Sequence, residues 1–451
     1  MSEYIKLKEM PIKKLVLTMS WPIMLSMLIQ SLYNIVDSAF VAQISEDALQ
    51  AVSIAFPIQM LIIAVAVGTG VGINSLLSRR LGANKLDKAK DCCEHGLLLS
   101  LLNWSVFLLF GIFFSRMFIS AFTSNSAIIN MGTSYTSIVC IFSIGTFLQV
   151  SAEKISVATG KTMYSMIIQG SGAIVNLILD PIFIFGLFGM PKMGVSGAAI
   201  ATVIGQLVGM CVGILIIKHK NSNLQINFKK FVFKKDVVKD IYKVGLPSII
   251  MQSIISVMVF GINAILAGVS GVAVSAFGVY YKLQSFIFMP VIGLNNAIIS
   301  IVGYNYGAKA YQRIFDSIKF ASIFVVMLMG IGTILFQIFP EQLLAIFNAN
   351  KDLIDIGVPT LRIISLSFMF GGISLVVCGM FQAIGMGTKS LIISLGRQFV
   401  LLLPLAYIFC TYLGIEYTWY AFVICEVACA LLSLIYYFNW KNKVELSMNN
   451  T

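Results

Sequence analysis

Apolar residues fill this chain in blocks of about 20, separated by short polar breaks, and the blocks recur from residue 16 to residue 439. A helix rises 1.5 Å per residue, so each block is long enough to cross a hydrocarbon layer about 30 Å thick. Twelve spans are predicted, near 16–41, 51–77, 96–121, 132–157, 164–187, 197–217, 245–269, 276–302, 318–339, 357–383, 391–413 and 417–439. The expected class is an all-α polytopic membrane protein. Composition agrees: 58% of residues are hydrophobic, 11% are charged and the mean hydropathy is +0.92, far outside the range of soluble globular chains.

The pattern repeats. Displacing the chain on itself by 225 residues aligns Pro22 with Pro247, Ala51 with Ala276, Gln59 with Gln284, Gly68 with Gly293, Ser75 with Ser300 and Gly82-Ala83 with Gly307-Ala308, without a gap. The same displacement pairs Ala158 with Ala383 and Gly160 with Gly385, and a displacement of 223 pairs Pro181 with Pro404. Each copy holds six spans, an even number, so both start on the same side of the membrane. The prediction is a parallel repeat of two six-helix lobes, 1–217 and 245–451, joined by a basic linker at 218–244. Phe231, Val232, Phe233, Val237, Val238 and Ile241, set among lysines, predict an amphipathic interfacial helix within that linker.

Charge gives the orientation, because cytoplasmic loops retain Lys and Arg. With the N-terminus inside, the inner segments hold 25 of the 31 basic residues, the outer loops only Arg116, Lys192 and Lys351, and Lys282, Arg362 and Arg397 fall within or at the edge of spans. Both termini are expected in the cytoplasm. The net charge of +12 is explained by topology and does not point to nucleic acid. Residues 1–15 lack a small-residue cleavage site, so the first span reads as a retained anchor. The eight cysteines form no metal spacing or disulfide frame. His95 and His219 fall in inner loops, where solvation is expected, and a histidine-dependent enzyme is disfavoured.

Against this background the intramembrane carboxylates stand out. Asp37 and Asp180 interrupt apolar spans of the first lobe, whereas the second lobe has Ile262 and Leu403 at the corresponding places. A carboxylate at mid-span costs about 2.5–3.5 kcal/mol on insertion scales, so it is rare unless it handles an ion or substrate. Gln30, Asn34 and Asp37 share one face of the first span, and Gln169, Asn176 and Asp180 one face of the fifth. Thr202, in a run of small residues that permits close helix contact, reaches comparable depth from the sixth span, and Tyr135 enters the fourth from the same side. Two carboxylates with an amide oxygen and a hydroxyl suit a hard cation such as sodium. They suit a proton as well, since two carboxylates in one site can share it. Pro181 lacks an N–H and frees the carbonyl of Leu177 as a ligand or flex point, and Pro22 bends the first span or gives it a fixed kink.

Other polar positions are weaker. Glu153 beside Lys154 reads as an interfacial snorkelling pair, and Lys282 likewise as snorkelling. Glu426 either faces the central cavity or pairs with Arg397. Gln59, Gln252, Gln284, Asn263, Asn295 and Asn296 line the passage or bond between helices.

The stretch Asn176-Leu-Ile-Leu-Asp180-Pro-Ile-Phe-Ile-Phe-Gly186, the run Gly197-Ala-Ala-Ile-Ala-Thr202, Pro22 with Asp37, and Arg-Leu-Gly-Ala at 80–83 together resemble the multidrug and toxic-compound extrusion (MATE) family over essentially the whole chain. The resemblance implies a bacterial plasma-membrane antiporter, a monomer without cofactor, exporting cationic or amphipathic drugs and toxins in exchange for protons or sodium by rocker-switch alternating access. By the family pattern Asp37, Asn176, Asp180 and Thr202, with Tyr135, form the cation site, with Pro22 the bending position; Asn34, on the same face as Asp37, is assigned to that site by spacing. Gln30, Gln59, Gln284, Asn263 and Glu426 are assigned to the substrate cavity. The seventh and tenth spans contain no acid, unlike some branches, so coupling is expected in the first lobe, as in the branch related to DNA-damage-inducible transporters. Two other readings are a flippase for a lipid-linked oligosaccharide, which needs a strongly cationic cavity, and a membrane-embedded enzyme. The enzyme is disfavoured because no His-Glu-x-x-His or Gly-x-Ser-x-Gly motif occurs.

Overall fold

The computed structural model describes residues 5–220, 224, 226, 231–347 and 349–449, apart from the side chains of residues 5, 33–35, 37–39, 41 and 42. These residues form helices and no strand, and all twelve expected spans are present. The first lobe contains α1 (Ile12–Ala42), α2 (Glu46–Gly82), α3 (Leu86–Phe113), α4 (Ser126–Ile141 and Ile144–Ala158), α5 (Thr162–Phe185) and α6 (Gly194–Lys220). The second contains α7 (Lys235–Ala267), α8 (Gly271–Gly307), α9 (Tyr311–Ile338), α10 (Lys351–Ser365 and Phe368–Ala383), α11 (Gly387–Tyr412) and α12 (Tyr420–Asn449).

Two spans are not single rods. α4 bends by 43° and α10 by 47°, at Phe142–Ser143 and Leu366–Ser367. In both bends a serine turns back on its own helix: Ser143 Oγ donates to Cys140 O at 2.8 Å and Ser367 Oγ to Ile364 O at 2.7 Å. Such back-bonding competes with the helical ladder and kinks it. α1 and α5, by contrast, continue through Pro22 and Pro181.

The repeat survives in fine detail. α2 and α8 are each capped by a serine, Ser45 and Ser270, whose side chains accept from the backbone N–H of Ala48 and Ala273. The chain leaves both helices through a left-handed residue, Asn84 at φ 56° and Lys309 at φ 58°. The lobes then pack through equivalent contacts. A Cβ on Gly82 would lie 1.9 Å from Tyr304 O, and one on Gly307 would lie 2.0 Å from Arg79 O. Further along, Gly68 meets the backbone of Ile249 and Gly293 that of Met24. Small residues let backbones meet here as in other membrane helix pairs. The result is a seal at one end of the bundle, the end carrying the basic loops. All residues at 68–78 and 296–305 are buried, whereas both helices alternate between buried and exposed positions toward the other end.

The linker departs from expectation. No separate amphipathic helix forms at 231–241. Residues 231–234 are non-helical and Lys235 begins α7, so Val237 and Ile241 are buried in its first turns. Nor is His95 solvated, being fully buried. Its Nε2 accepts the backbone N–H of Lys234 at 2.8 Å, which leaves Nδ1 to donate to Asp91 O at 2.7 Å. The rings of Phe231 and Phe233 lie 4.8 and 5.8 Å from the imidazole, and Lys234 Nζ reaches Asp91 Oδ2 at 2.7 Å. The aromatic residues that mimicked a membrane-facing stripe clasp the linker to α3 instead.

Two outcomes follow from this packing. Gly82→Ala, which places a methyl against Tyr304 O, is expected to push the basic end open, read as a longer distance between spin labels at positions 88 and 312. His95→Leu keeps bulk but removes both ring hydrogen bonds, each worth about 1 kcal/mol, and should increase tryptic cleavage at Lys234 and Lys235 in limited proteolysis.

Candidate cation site and central cavity

α5 and α6 approach closely because glycines face each other. A Cβ on Gly205 would lie 2.6 Å from Gly172 O, and one on Gly172 would lie 2.8 Å from Gly205 O. That contact brings Asn176 and Thr202 together one turn away. Asn176 Nδ2 donates to Asp180 Oδ1 at 3.2 Å and to Thr202 Oγ1 at 3.4 Å, while Thr202 donates to Ala198 O at 2.9 Å. Asp180 and Asn176 are 1% and 4% exposed, so the cluster is shielded from bulk solvent. The Asn34 and Asp37 side chains lie outside the described residues, although their helix, α1, packs against α5. Gln30 Oε1 accepts from Gln169 Nε2, pinning α1 to α5. Tyr135 is buried and its hydroxyl donates to Gln59 Oε1 at 3.2 Å. Among the described residues no group of three His, Cys, Asp or Glu is placed to hold a metal.

A cavity of about 270 Å³ opens mainly in the second lobe, with Val67 and Val71 of α2 closing one side. Gln284 and Glu426 line it. Gln30, Gln59 and Asn263 do not belong to its lining: the first two spend their amides on Gln169 and Tyr135. Glu426 meets both of its expectations, facing the cavity while its Oε1 lies 3.6 Å from Arg397 Nε. Lys282 is exposed, with its ammonium 5.8 Å from the Phe347 ring.

Glu153 and Lys154 require a correction. They are 7% and 5% exposed and do not snorkel. Glu153 Oε1 accepts from Gln149 Nε2 at 3.0 Å. The stem of Lys154 crosses Gly70 of α2, and its ammonium donates to Asn296 Oδ1 of α8 at 2.7 Å. The reason is steric: α2 covers this face of α4, so the shortest course for the side chain runs into the seam between lobes. Asn74, Ser78 and Ser300 extend the seam, with Ser300 Oγ donating to Asn74 Oδ1 at 2.7 Å, and Ser75 Oγ donates to Gln382 O at 2.6 Å. The signal for this seam was a lysine inside an apolar span, but sequence could not show which helix lay opposite.

The MatE family profile matches residues 22–182 and again 247–408, one copy per lobe, each beginning at the equivalent proline. The chain belongs to the MATE family. MATE proteins are multidrug efflux transporters, so this is a multi-pass transporter and not an enzyme. Similar curated proteins include the multidrug export protein MepA of Staphylococcus haemolyticus, 24% identical over 438 residues and covering 97% of this chain and 96% of the relative. MepA of Staphylococcus aureus strain MSSA476 is 24% identical over 434 residues, covering 95% and 94%. An outward-facing multidrug resistance MATE transporter of the MOP superfamily superposes with a TM-score of 0.93 at 25% identity, covering 98% of this chain and 99% of that one. A MOP superfamily transporter from Pyrococcus furiosus Vc1 gives 0.92, also at 25% identity and the same coverage. The two-lobe, twelve-helix architecture is therefore that of MATE transporters.

The seam of this MATE protein yields an asymmetric expectation. Asn296→Ala leaves the Lys154 ammonium buried without its acceptor, whereas Lys154→Met removes the charge and leaves only a neutral amide. Asn296→Ala should therefore lower the melting temperature of the purified protein more, by about 2–3 kcal/mol in stability against about 1.

Proposed function

We propose that the chain is a secondary active antiporter, exporting cationic or amphipathic drugs and toxins from a bacterial cell in exchange for protons or sodium by rocker-switch alternating access. The observation that carries this reading is the one-ended seal. Two lobes related by an internal repeat meet tightly at the basic end, and the seal leaves open a cavity walled by the second lobe and closed on one side by Val67 and Val71 of the first. The basic end is taken as cytoplasmic, with both termini there, so the conformation corresponds to the outward-facing state named for the similar transporter. The names of the MepA relatives support multidrug export.

In this scheme the bodies that rock are residues 1–217 and 245–451, joined at 218–244, in a plasma-membrane monomer. A cation, sodium or proton, binds Asp37, Asn34, Tyr135, Asn176, Asp180 and Thr202 when the cavity faces outward. Its binding lowers the affinity for substrate held between the lobes, and Pro22 and Pro181 absorb the accompanying change in helix direction. Sodium and proton are both compatible with the oxygen-rich chemistry of the cluster. A monovalent cation entering down the membrane potential supplies about 2.3 kcal/mol per 100 mV, enough to drive a substrate against a substantial gradient. A flippase for lipid-linked oligosaccharide has less support, since Arg397 is the one basic residue among the described residues lining the cavity and it faces Glu426.

Dye transport in proteoliposomes with sodium and pH gradients imposed separately tests the scheme and assigns the ion. Asp37→Asn and Asp180→Asn proteins are expected to lose gradient-driven transport at least tenfold, the equivalent of about 1.4 kcal/mol or more. Undiminished transport by either variant would sink the coupling scheme.

A further inference from the structure

In the second lobe, Arg397 and Glu426 meet on the cavity wall in an unusual state. Their separation of 3.6 Å is an ion pair but exceeds hydrogen-bond length, and their side chains are only 12% and 18% exposed. Neither side chain makes any hydrogen bond among the described residues. Glu426 Oε2 is buried without a partner, as are Gln398 Oε1 and Asn295 Oδ1 of the same cavity lining. A purely structural buried pair normally survives desolvation through close contact and additional hydrogen bonds. This one has neither.

The backbone nevertheless holds it in place. Gly371 of α10 leaves room for the carboxylate, since a Cβ there would lie 3.2 Å from Glu426 Oε2. Arg397 sits in a π-helical turn, Gly396–Val400, a local widening of α11 that is frequent at functional sites. That turn is pinned from α12, where Cys425 Sγ donates to Arg397 O at 2.9 Å. Beside the pair, Phe277, Tyr280 and Phe422 form an aromatic shelf with ring centroids 5.9–6.3 Å apart.

The geometry points to a ligand subsite in the second lobe for amphoteric aromatic compounds, with a cationic nitrogen against Glu426, an acidic oxygen against the guanidinium of Arg397 and a flat ring system on the aromatic shelf. It rests on the export reading for its biological role and narrows the substrate class, but binding itself needs no gradient. The first lobe supplies the coupling cation site, and this subsite is separate from it.

The test uses purified full-length protein and two dyes of one chromophore, rhodamine 110, which carries a free carboxylate, and rhodamine 123, its methyl ester, with affinities read by fluorescence polarisation. The wild type should prefer rhodamine 110 by about fivefold to tenfold, the worth of one charge-assisted contact. Arg397→Gln should abolish that preference chiefly by weakening rhodamine 110, and Glu426→Gln should widen it, because both dyes lose the contact to their shared cationic nitrogen while the freed guanidinium of Arg397 holds the carboxylate of rhodamine 110 more strongly. Because both dyes are measured on one preparation, a folding defect lowers them in parallel and leaves the ratio alone. A wild type without preference, or variants whose ratio does not move, overturns the subsite. Asp180→Asn separates this from the antiport scheme: it should lose driven transport while keeping the wild-type dye preference.

Discussion

The structure depends on two helices whose backbones come closer than any side chain would allow. At the basic end α2 and α8 cross with Gly82 against Tyr304 O and Gly307 against Arg79 O. Because the lobes are copies, one contact implies the other. The same logic sets Gly68 on α7 and Gly293 on α1. These are self-complementary contacts of the kind found at a two-fold interface, here within one chain. In a membrane, where apolar burial between helices gains little over lipid, such close backbone packing is a main source of helix adhesion. It also concentrates adhesion at one end, which leaves the remainder of the interface free to enclose a cavity.

Onto this symmetric frame the chain has written differences, and they fall where chemistry is needed. Lys154 in α4 corresponds to Gly379 in α10, and Gly70 in α2 to Asn295 in α8. Each large residue lies on the small residue of its own lobe, since Lys154 covers Gly70 and Asn295 covers Gly379. Volume is thus conserved across the pseudo-axis while polarity is not. The first lobe projects a cation into the seam and the second answers with the neighbouring Asn296. The seam therefore combines steric closure from glycine with a charged hydrogen bond that has no twin.

Much of this was legible in sequence, because the decisive signals were local or periodic. Hydropathy located all twelve spans, and the displacement of 225 named Gly68, Gly82, Gly293 and Gly307 as equivalent before their contacts were visible. The spacing of Asn176 and Asp180 placed them on one face, and the small-residue run carried Thr202 to them. What escaped was information held by a partner element. The bends at Ser143 and Ser367 come from side chains that bond their own backbone, a competition that hydropathy averages away. His95 was placed in a loop, but it sits within α3 under a linker that folds back on it. The alternation of Phe231, Val232 and Phe233 with lysines looked amphipathic, yet the rings of Phe231 and Phe233 approach His95 while Val232 stays exposed.

The two polar sites differ in a way that bears on what each can do. In the first lobe Asn176 bridges Asp180 and Thr202, and the helix pair that carries them is locked by reciprocal glycines. A cluster carried on a locked helix pair suits a small ion whose ligands must sit within tenths of an ångström. In the second lobe Arg397 and Glu426 have opposite charges but no hydrogen bond, and their neighbours Gln398 and Asn295 each leave an oxygen unpaired. The guanidinium of Arg397 makes this a poor site for a bare cation, whereas unpaired oxygens on a cavity wall suit an organic molecule that brings its own donors. The difference is one of backbone: reciprocal glycines lock the helix pair that carries Asn176 and Thr202, whereas Arg397 and Glu426 line an open cavity beside a π-helical turn, a contrast in keeping with the proposed division of ion and substrate between the lobes.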